Sequence, residues 1–107
     1  MAAINDLRGF IEALEADGQL ARISRQVSIR HELADVGAAL ARTGTGAGLF
    51  ENVDGSRWPI FCGGIASHRR TAIALGCQPN EIIDVMDSVL DQANGIAPVR
   101  IEQAAWQ

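Results

Sequence analysis

The chain has 107 residues, 48% of them hydrophobic and 21% charged, which is the size and balance of one soluble globular domain. All nine basic residues are arginine and the formal net charge is −4, so the composition argues against nucleic-acid binding and excludes a Walker A loop and a Schiff-base lysine. With no apolar run near the ~20 residues of a membrane span and only two cysteines, we expect a cytoplasmic protein without a membrane partner.

The first half of the chain predicts a helix, a strand and a second helix, in that order. Asn5 can cap the first helix, and Gly18 can end it in the left-handed conformation. Residues 20–27 alternate between apolar and polar side chains, which predicts a strand. Ser28 can cap the second helix. The glycine-rich segment 43–48 that follows this helix is interpreted as a flexible connector.

A β-hairpin is predicted next. Residues 49–53 and 58–62 have the composition of short strands, and the Asp54-Gly55 pair between them is typical of a two-residue type I′ turn. Pro59 has no N–H group to donate to a neighbouring strand, so the second strand is expected at the edge of the sheet.

Two helices follow the hairpin. Ser67 can cap the third helix, which Gly76 ends, and Pro79 begins a fourth helix that closes at residues 94–95. The fourth helix has an apolar face at helical spacing, which we expect in the core: Ile82, Ile83, Met86, Val89 and Leu90. It also has an acidic stripe, interpreted either as a solvated face or as the contact for an arginine-rich partner: Glu81, Asp84, Asp87 and Asp91.

Together these elements predict an α+β fold for residues 1–95, a small two-layer domain with about four helices packed on a short mixed or antiparallel sheet that contains one hairpin. Residues 96–107 are predicted to be an extended tail, because Pro98 prevents a helix. Val99, Ile101 and Trp106 make this tail apolar. Since aromatic residues commonly anchor interfaces, the tail is a candidate docking element for a partner.

The segment from Gly63 to Arg70 is the candidate contact for an anion or a partner. Gly63 and Gly64 follow a predicted strand, and Ser67 begins a helix, whose free N–H groups attract anions. Arg69 and Arg70 could each bind a phosphate or a carboxylate through two hydrogen bonds. The alternative is structural: the glycines form a tight turn, and the arginines pair with acids on a neighbouring element.

No active site is recognisable in the residues themselves. His31 and His68 lie on different predicted helices, and Cys62 and Cys77 do not have the spacing of a zinc site. The glycine-rich segment 43–48 leads from a helix into a strand, which is the reverse of a dinucleotide-binding loop. We therefore predict no catalytic, cofactor-binding or metal-binding residue in this chain.

Four blocks of sequence, in order and spacing, resemble the N-terminal domain of the UbiD family of decarboxylases. The blocks are residues 6–14 (DLRGFIEAL), residues 18–23 (GQLARI), residues 49–55 with LFENV at their start, and residues 59–76 with GG and SHRR inside them. The enzymes of that family interconvert aromatic or α,β-unsaturated acids with their decarboxylated products and CO2. They use prenylated FMN with a divalent metal, commonly Mn2+, and K+, in a following flavin-binding domain that carries a Glu-Arg-Glu catalytic set.

The resemblance implies that this chain is the N-terminal domain, or a separate small subunit, of such an enzyme, and that it ends about where the flavin-binding domain would begin. It would be inactive alone and form a hetero-oligomer with a flavin-binding UbiD-type chain, which would hold the prenylated FMN, Mn2+ and K+. The alternative is a free-standing module that kept the fold and binds a ligand or a protein. A neighbouring reading frame that begins with the flavin-binding domain would favour the first interpretation.

Overall fold

Four α-helices and five short strands are formed by residues 3–106, the part of the chain that the computed structural model describes. In chain order they are α1 (Leu7–Ala16), β1 (Leu20–Ile23), β2 (Val27–Ser28), α2 (Glu32–Thr43), β3 (Ala47–Phe50), β4 (Val53–Asp54), β5 (Ile60–Cys62), α3 (His68–Leu75) and α4 (Ile82–Leu90). Single turns of 3-10 helix flank α4, at Pro79–Glu81 and Gln92–Asn94. These elements confirm the predicted α+β class.

The strands form two small sheets. In the larger sheet β3 is central, with β1 parallel to it on one side and β5 antiparallel to it on the other. In the smaller sheet β2 pairs with β4 in parallel. Parallel neighbours need a crossover connection, which α2 supplies between β1 and β3. α1 packs against β1 and α2 packs against β3, so helices lie on a mixed sheet.

The core joins the two sheets. Val27 of β2, Phe50 of β3 and Val53 of β4 are buried together. Half-buried apolar side chains pack around this cluster: Ile23, Leu33, Val36, Ile60 and Cys62. Full burial of a side chain such as Phe stabilises a fold by about 1.5–3 kcal/mol, so this cluster holds the sheets against each other.

The predicted hairpin is present as the antiparallel pair of β3 and β5, but the predicted type I′ turn between its strands does not form. The Ser56 N–H donates to the Val53 carbonyl at 3.1 Å, so the chain does turn at Asp54 and Gly55. Only Gly55 has a positive φ (+96°), whereas a type I′ turn needs positive φ at both central residues. β4 pairs with β2 instead of with β5, because that pairing buries Val53 in the core.

Helix α1 begins one residue later than predicted. Asp6, not Asn5, is its N-cap, and the Asp6 Oδ1 accepts a hydrogen bond from the Gly9 N–H at 2.7 Å. Both residue types are good caps, and the carboxylate also carries the charge that a helix N-terminus favours. Gly18 has a φ of +71°, which confirms the predicted left-handed end.

The predicted strand over residues 20–27 is in fact two strands, and the second helix starts later than predicted. β1 and β2 belong to different sheets. The Ile29 N–H donates to the Asp54 carbonyl at 3.1 Å, which extends the pairing of β2 with β4. Ser28 therefore lies in a strand instead of capping α2, which begins at Glu32.

The glycine-rich segment 43–48 is a fixed turn and not a flexible connector. Gly44 ends α2 with a φ of +65°. Gly46 has a φ of +139°, and a Cβ atom there would lie 2.7 Å from the Gln19 carbonyl oxygen. The Ala47 N–H donates to that same oxygen at 2.8 Å, which brings β3 beside β1. Only glycine allows this approach.

Helix α4 is where the predicted core and the observed surface differ most. It packs against α3, and Ile82 and Val85 are half-buried. The rest of its predicted core face is exposed: Ile83, Met86, Val89 and Leu90. The apolar arc of this helix is wider than its contact with α3, so much of it stays in water.

The described chain after α4 has little regular structure. From Gly95 to Trp106 it contains neither helix nor strand, and Ala104 is its buried residue. Among residues 3–106, no helix has the length and apolar character that crossing a membrane requires.

Candidate functional site

The turn between β5 and α3, together with the first turn of α3, contains all five residues of the predicted anion or partner contact. Gly63 follows β5 with a φ of +73°, and Ser67 caps α3 by accepting a hydrogen bond from the Arg70 N–H at 3.2 Å. A Cβ atom on Gly64 would lie 2.8 Å from the Phe61 ring, so this position also favours glycine. The predicted sequence of strand, glycine turn and capped helix is therefore confirmed.

Arg69 binds a carboxylate at the end of α1. Its Nε and Nη2 donate to the two carboxylate oxygens of Asp17 at 2.5 and 2.8 Å. This hydrogen bonding lowers the pKa of Asp17 below its ordinary value of 3.8 and raises the pKa of Arg69. Asp17 directly follows α1, so the ion pair joins α1 to α3.

Arg70 is buried, with 3% of its surface exposed. Its Nε donates to the Gly63 carbonyl at 3.0 Å, and its Nη1 donates to the Gln19 Oε1 at 3.5 Å. No ion pair within the described residues includes Arg70. A buried guanidinium is costly unless it is hydrogen-bonded, so these bonds fix the side chain between the glycine turn and the segment that follows α1.

These contacts neither confirm nor contradict the predicted anion contact. Arg69 makes the contact that the structural alternative describes, with an acid on a neighbouring element. An anion at this turn would compete with Asp17 for Arg69, and would reach an Arg70 that is already bonded within the chain. A contact through Gly63, Gly64, Ser67, Arg69 and Arg70 therefore stays a prediction.

The histidines and cysteines lie on separate elements. His31 precedes α2 with a φ of +63°, and His68 is the first residue of α3. Cys62 is in β5 and Cys77 follows α3; both are half-buried free thiols. In the described part of the chain, no group of three or more His, Cys, Asp or Glu residues could hold a metal ion.

The described residues also do not fit a flavin nucleotide. A phosphate cradle is normally a glycine loop that leads from a strand into a helix, with backbone N–H groups free to bind the phosphate. The segment 43–48 leads from a helix into a strand, and it is closed against the Gln19 carbonyl. The turn before α3 has the correct order, but both of its arginines are bonded within the chain. Neither glycine segment is therefore a free phosphate cradle.

A groove beside α1 was missed by the sequence analysis. It has a volume of about 580 Å3 and is open to solvent; its lining includes Leu7, Arg8, Ile11, Leu49, Trp58 and Phe61. The exposed Trp58 ring lies 4.8 Å from the Arg57 guanidinium carbon, a cation–π contact. The signal in the sequence was the Trp58-Pro59 pair, which indicated only an edge strand.

The predicted docking residues of the tail are exposed. Val99, Ile101 and Trp106 all have most of their surface in solvent, and Ile96 is 96% exposed. The tail therefore presents apolar side chains in a segment without helix or strand, as a docking element would.

The chain matches one protein family over most of its length. The family model is that of the 3-octaprenyl-4-hydroxybenzoate carboxy-lyase N-terminal domain, and the match covers residues 11–89. That range includes the core, the glycine turn before α3 and nearly all of α4.

Curated relatives match almost the whole chain. A phenolic acid decarboxylase of Escherichia coli O157:H7 is 34% identical over 110 residues, which cover 97% of this chain and 23% of that protein. An uncharacterized protein of Synechocystis sp., sll0936, is 34% identical over 100 residues, which cover 92% of this chain and 20% of that protein. The chain thus spans about one fifth of the length of the curated relatives that it matches.

Solved structures match the fold. The vanillic acid decarboxylase of Sedimentibacter hydroxybenzoicus, in an open form with truncated ShVdcD, matches with a TM-score of 0.75 and 28% identity over 85% of this chain and 21% of that chain. Two further structures of this enzyme, one open and one closed, each match with a TM-score of 0.68 and 32% identity over 75% of this chain and 17% of that chain. One open structure thus matches this chain as well as the closed structure does, and the other open structure matches it better.

Proposed function

The chain belongs to the UbiD family of carboxy-lyase N-terminal domains, and we propose that it is the non-catalytic N-terminal domain or subunit of a prenylated-FMN-dependent (de)carboxylase. The observation that carries the proposal is the family match over residues 11–89, together with a decarboxylase relative that covers 97% of the chain. A flavin-bearing UbiD-type polypeptide completes the enzyme, either joined to this domain or held beside it.

The substrate is proposed to be an aromatic or α,β-unsaturated carboxylic acid. Support comes from the relatives, because one is a phenolic acid decarboxylase and another is a vanillic acid decarboxylase. Phenolic and vanillic acids both place a carboxyl group on or near an aromatic ring. Among the described residues we find no evident binding site for such an acid, so we assign its binding to the flavin-bearing polypeptide.

The cofactors are assigned to the same polypeptide. The assignment is supported by two features of residues 3–106: no group of three or more His, Cys, Asp or Glu residues could hold a metal ion, and the glycine segment 43–48 is closed against the Gln19 carbonyl. The role of this chain is then to supply a surface and not a reacting group. A cytoplasmic location, in which both cysteines stay reduced, completes the proposal.

The tail is proposed to lie on the flavin-bearing polypeptide. Val99, Ile101 and Trp106 would lose their exposed apolar surface in that contact. Replacing all three by serine should reduce recovery of the flavin-bearing polypeptide with this chain, without changing its thermal melt. Undiminished recovery would show that the tail is not the docking element.

The experiment for the proposed function is purification of the native protein with its partners retained, followed by mass identification and a flavin absorbance scan. We expect a flavin-bearing UbiD-type polypeptide, either as a separate chain or continuous with this sequence. A preparation without flavin and without such a polypeptide would support the free-standing binding module instead. The isolated 107-residue chain, supplied with prenylated FMN, Mn2+ and K+, should not decarboxylate any aromatic acid.

A further inference from the structure

Helix α4 has two parallel stripes on its exposed side. Ile83, Met86 and Leu90 form an apolar stripe and are 81%, 41% and 74% exposed. An aspartate follows each of them directly, at positions 84, 87 and 91. Because successive residues of an α-helix lie about 100° apart, the three aspartates form a second stripe beside the first.

The apolar stripe is not an ordinary surface. A helix of nine residues is too short to be stable by itself, so α4 depends on its packing. Its contact with α3 leaves only Ile82 and Val85 half-buried, while its four other large apolar residues face solvent. Contiguous exposed apolar residues with a polar border are typical of an interaction site.

The acidic stripe forms no ion pair with the described residues. No arginine or lysine occurs between Thr71 and Val99. Glu81 and Asp91 accept hydrogen bonds from the backbone N–H groups of Gln78 and Ala93, which fixes them at the helix ends. In the described part of the chain, Asp84 and Asp87 have neither a hydrogen-bonded partner nor an ion pair. Their charge is therefore free to meet a charge on another surface.

The charge identifies the occupant. A second copy of this chain would bring one row of aspartates against another, and an anionic membrane would repel the same row. A surface with an apolar strip bordered by arginine or lysine would fit both stripes. About four-fifths of the length of each of these relatives lies outside the part that this chain matches, so such a surface has an evident source.

We propose that the double stripe of α4 is the docking surface for the flavin-bearing polypeptide, which presents to it an apolar strip bordered by basic side chains. The inference rests on the proposed function and adds to it the surface and the chemistry of contact. The apolar stripe supplies most of the affinity, and the aspartates set orientation and speed association.

The first arm of the test removes the apolar stripe. This chain is co-expressed with the flavin-bearing polypeptide, and the dissociation constant of the complex is measured for wild type and for Ile83→Ser with Leu90→Ser. We expect binding to weaken by about tenfold or more, as for central apolar contacts in other interfaces. Leu7→Ser is the matched control, because Leu7 is a similarly apolar, 56% exposed residue on α1. It should leave the affinity unchanged.

The second arm removes the charge alone. Asp84→Asn with Asp87→Asn should weaken binding several-fold at low salt. The difference from wild type should vanish at high salt, because the distance over which exposed charges interact falls from roughly 30 Å at about 0.01 M salt to roughly 3 Å at about 1 M. The matched control is Glu12→Gln with Asp35→Asn, which removes the same charge from α1 and α2. The control should not alter the salt dependence.

The outcomes separate this proposal from the proposed function. If wild type binds the flavin-bearing polypeptide and the stripe variants bind equally well, the surface is wrong and the function stands. If wild type neither binds that polypeptide nor is continuous with it, the proposed function fails. If wild type alone sediments as a dimer and the stripe variants as monomers, the occupant is a second copy and the proposal is overturned.

Discussion

Two regions of the molecule with similar apolar patterns differ in how far they bury their apolar side chains. In residues 6–76 the strands and helices form a core in which Val27, Phe50 and Val53 are almost fully enclosed, although Leu7, Ile29, Trp58 and Ile65 stay exposed. In residues 77–106 the apolar residues of α4 and of the tail remain mostly in solvent. Helical spacing of apolar residues thus shows that a face is to be covered, but not that the same chain covers it. The first region has a core formed by its own residues, whereas the second region leaves most of its apolar surface uncovered.

The largest expected difference is between a core and a stripe substitution. Phe50→Ala should destabilise the chain by about 3–5 kcal/mol, because it removes a fully buried ring and leaves a cavity. Leu90→Ala, at an exposed position, should change the free energy of unfolding by less than about 0.5 kcal/mol. Urea denaturation followed by circular dichroism measures both. If Phe50→Ala does not fold, Phe50→Leu should give a smaller loss of unfolding free energy. Equal losses for the substitutions at positions 50 and 90 would contradict the comparison.

A second prediction concerns the glycine segment that joins α2 to β3. Gly46→Ala should destabilise the chain by about 1–3 kcal/mol through backbone strain alone, and further through the contact of its Cβ with the Gln19 carbonyl at 2.7 Å. Gly44→Ala is the matched control, because it also has a positive φ but its Cβ would meet nothing within 4 Å. Thermal unfolding of the two variants should show the larger loss for Gly46. A larger loss for Gly44 would mean that the segment is flexible after all.

A third prediction separates the two neighbouring arginines. Arg70→Ala should cost about 1.5–3 kcal/mol, because the Gly63 carbonyl then loses a charged donor in a buried place. Arg69→Ala should cost clearly less, since its pair with Asp17 is partly exposed. Urea denaturation of the two single variants makes the comparison. Equal losses of unfolding free energy would show that burial does not distinguish the two arginines. Because Arg69→Ala is expected to destabilise the chain less, it is the better variant for a partner-binding test.

The smallest expected effect is a pH dependence at the same ion pair. The hydrogen bonds from Arg69 hold the pKa of Asp17 below 3.8, so the pair stabilises the folded chain above that pH and loses this contribution as the pH falls through the lowered pKa. Carboxyl NMR titration should show the pKa of Asp17 rising in Arg69→Ala. Glu15, whose pKa is lowered by its own hydrogen bond with Arg22, is the internal control and should not shift. A Glu15 shift of the same size would indicate a general change of structure.

Local signals could be predicted and distant partners could not. Helix α3 was predicted nearly to the residue because Ser67 and Gly76 are both local signals of its ends. The pairing of β4 with β2 was missed, because the favourable turn at Asp54 and Gly55 competes with a contact to a strand much earlier in the chain. The turn propensity of Asp54 and Gly55 predicts a tight hairpin, but the burial of Val53 determines that β4 pairs with β2.

The candidate site divides in the same way. The order of strand, glycine turn and helix could be predicted from residues 63–70 alone. The partner of Arg69 could not, because Asp17 is 52 positions away in sequence. The burial of Arg70 was also hidden, since nothing in the pattern distinguishes one arginine of an adjacent pair from the other. The exposure of α4 was missed because periodicity does not reveal whether a covering surface exists.

The long connection between Asp17 and Arg69 also bears on how the chain is made. A ribosome releases α1 first, yet the helix that pairs with it, α3, emerges only after the whole sheet has been synthesised. During that interval α1 has its own cap and its contact with β1, but not the ion pair that joins it to α3. When α3 docks, α4 and its apolar stripe are the next to leave the ribosome. A partner that binds the stripe, as proposed above, would therefore first meet it when the rest of the domain has just closed.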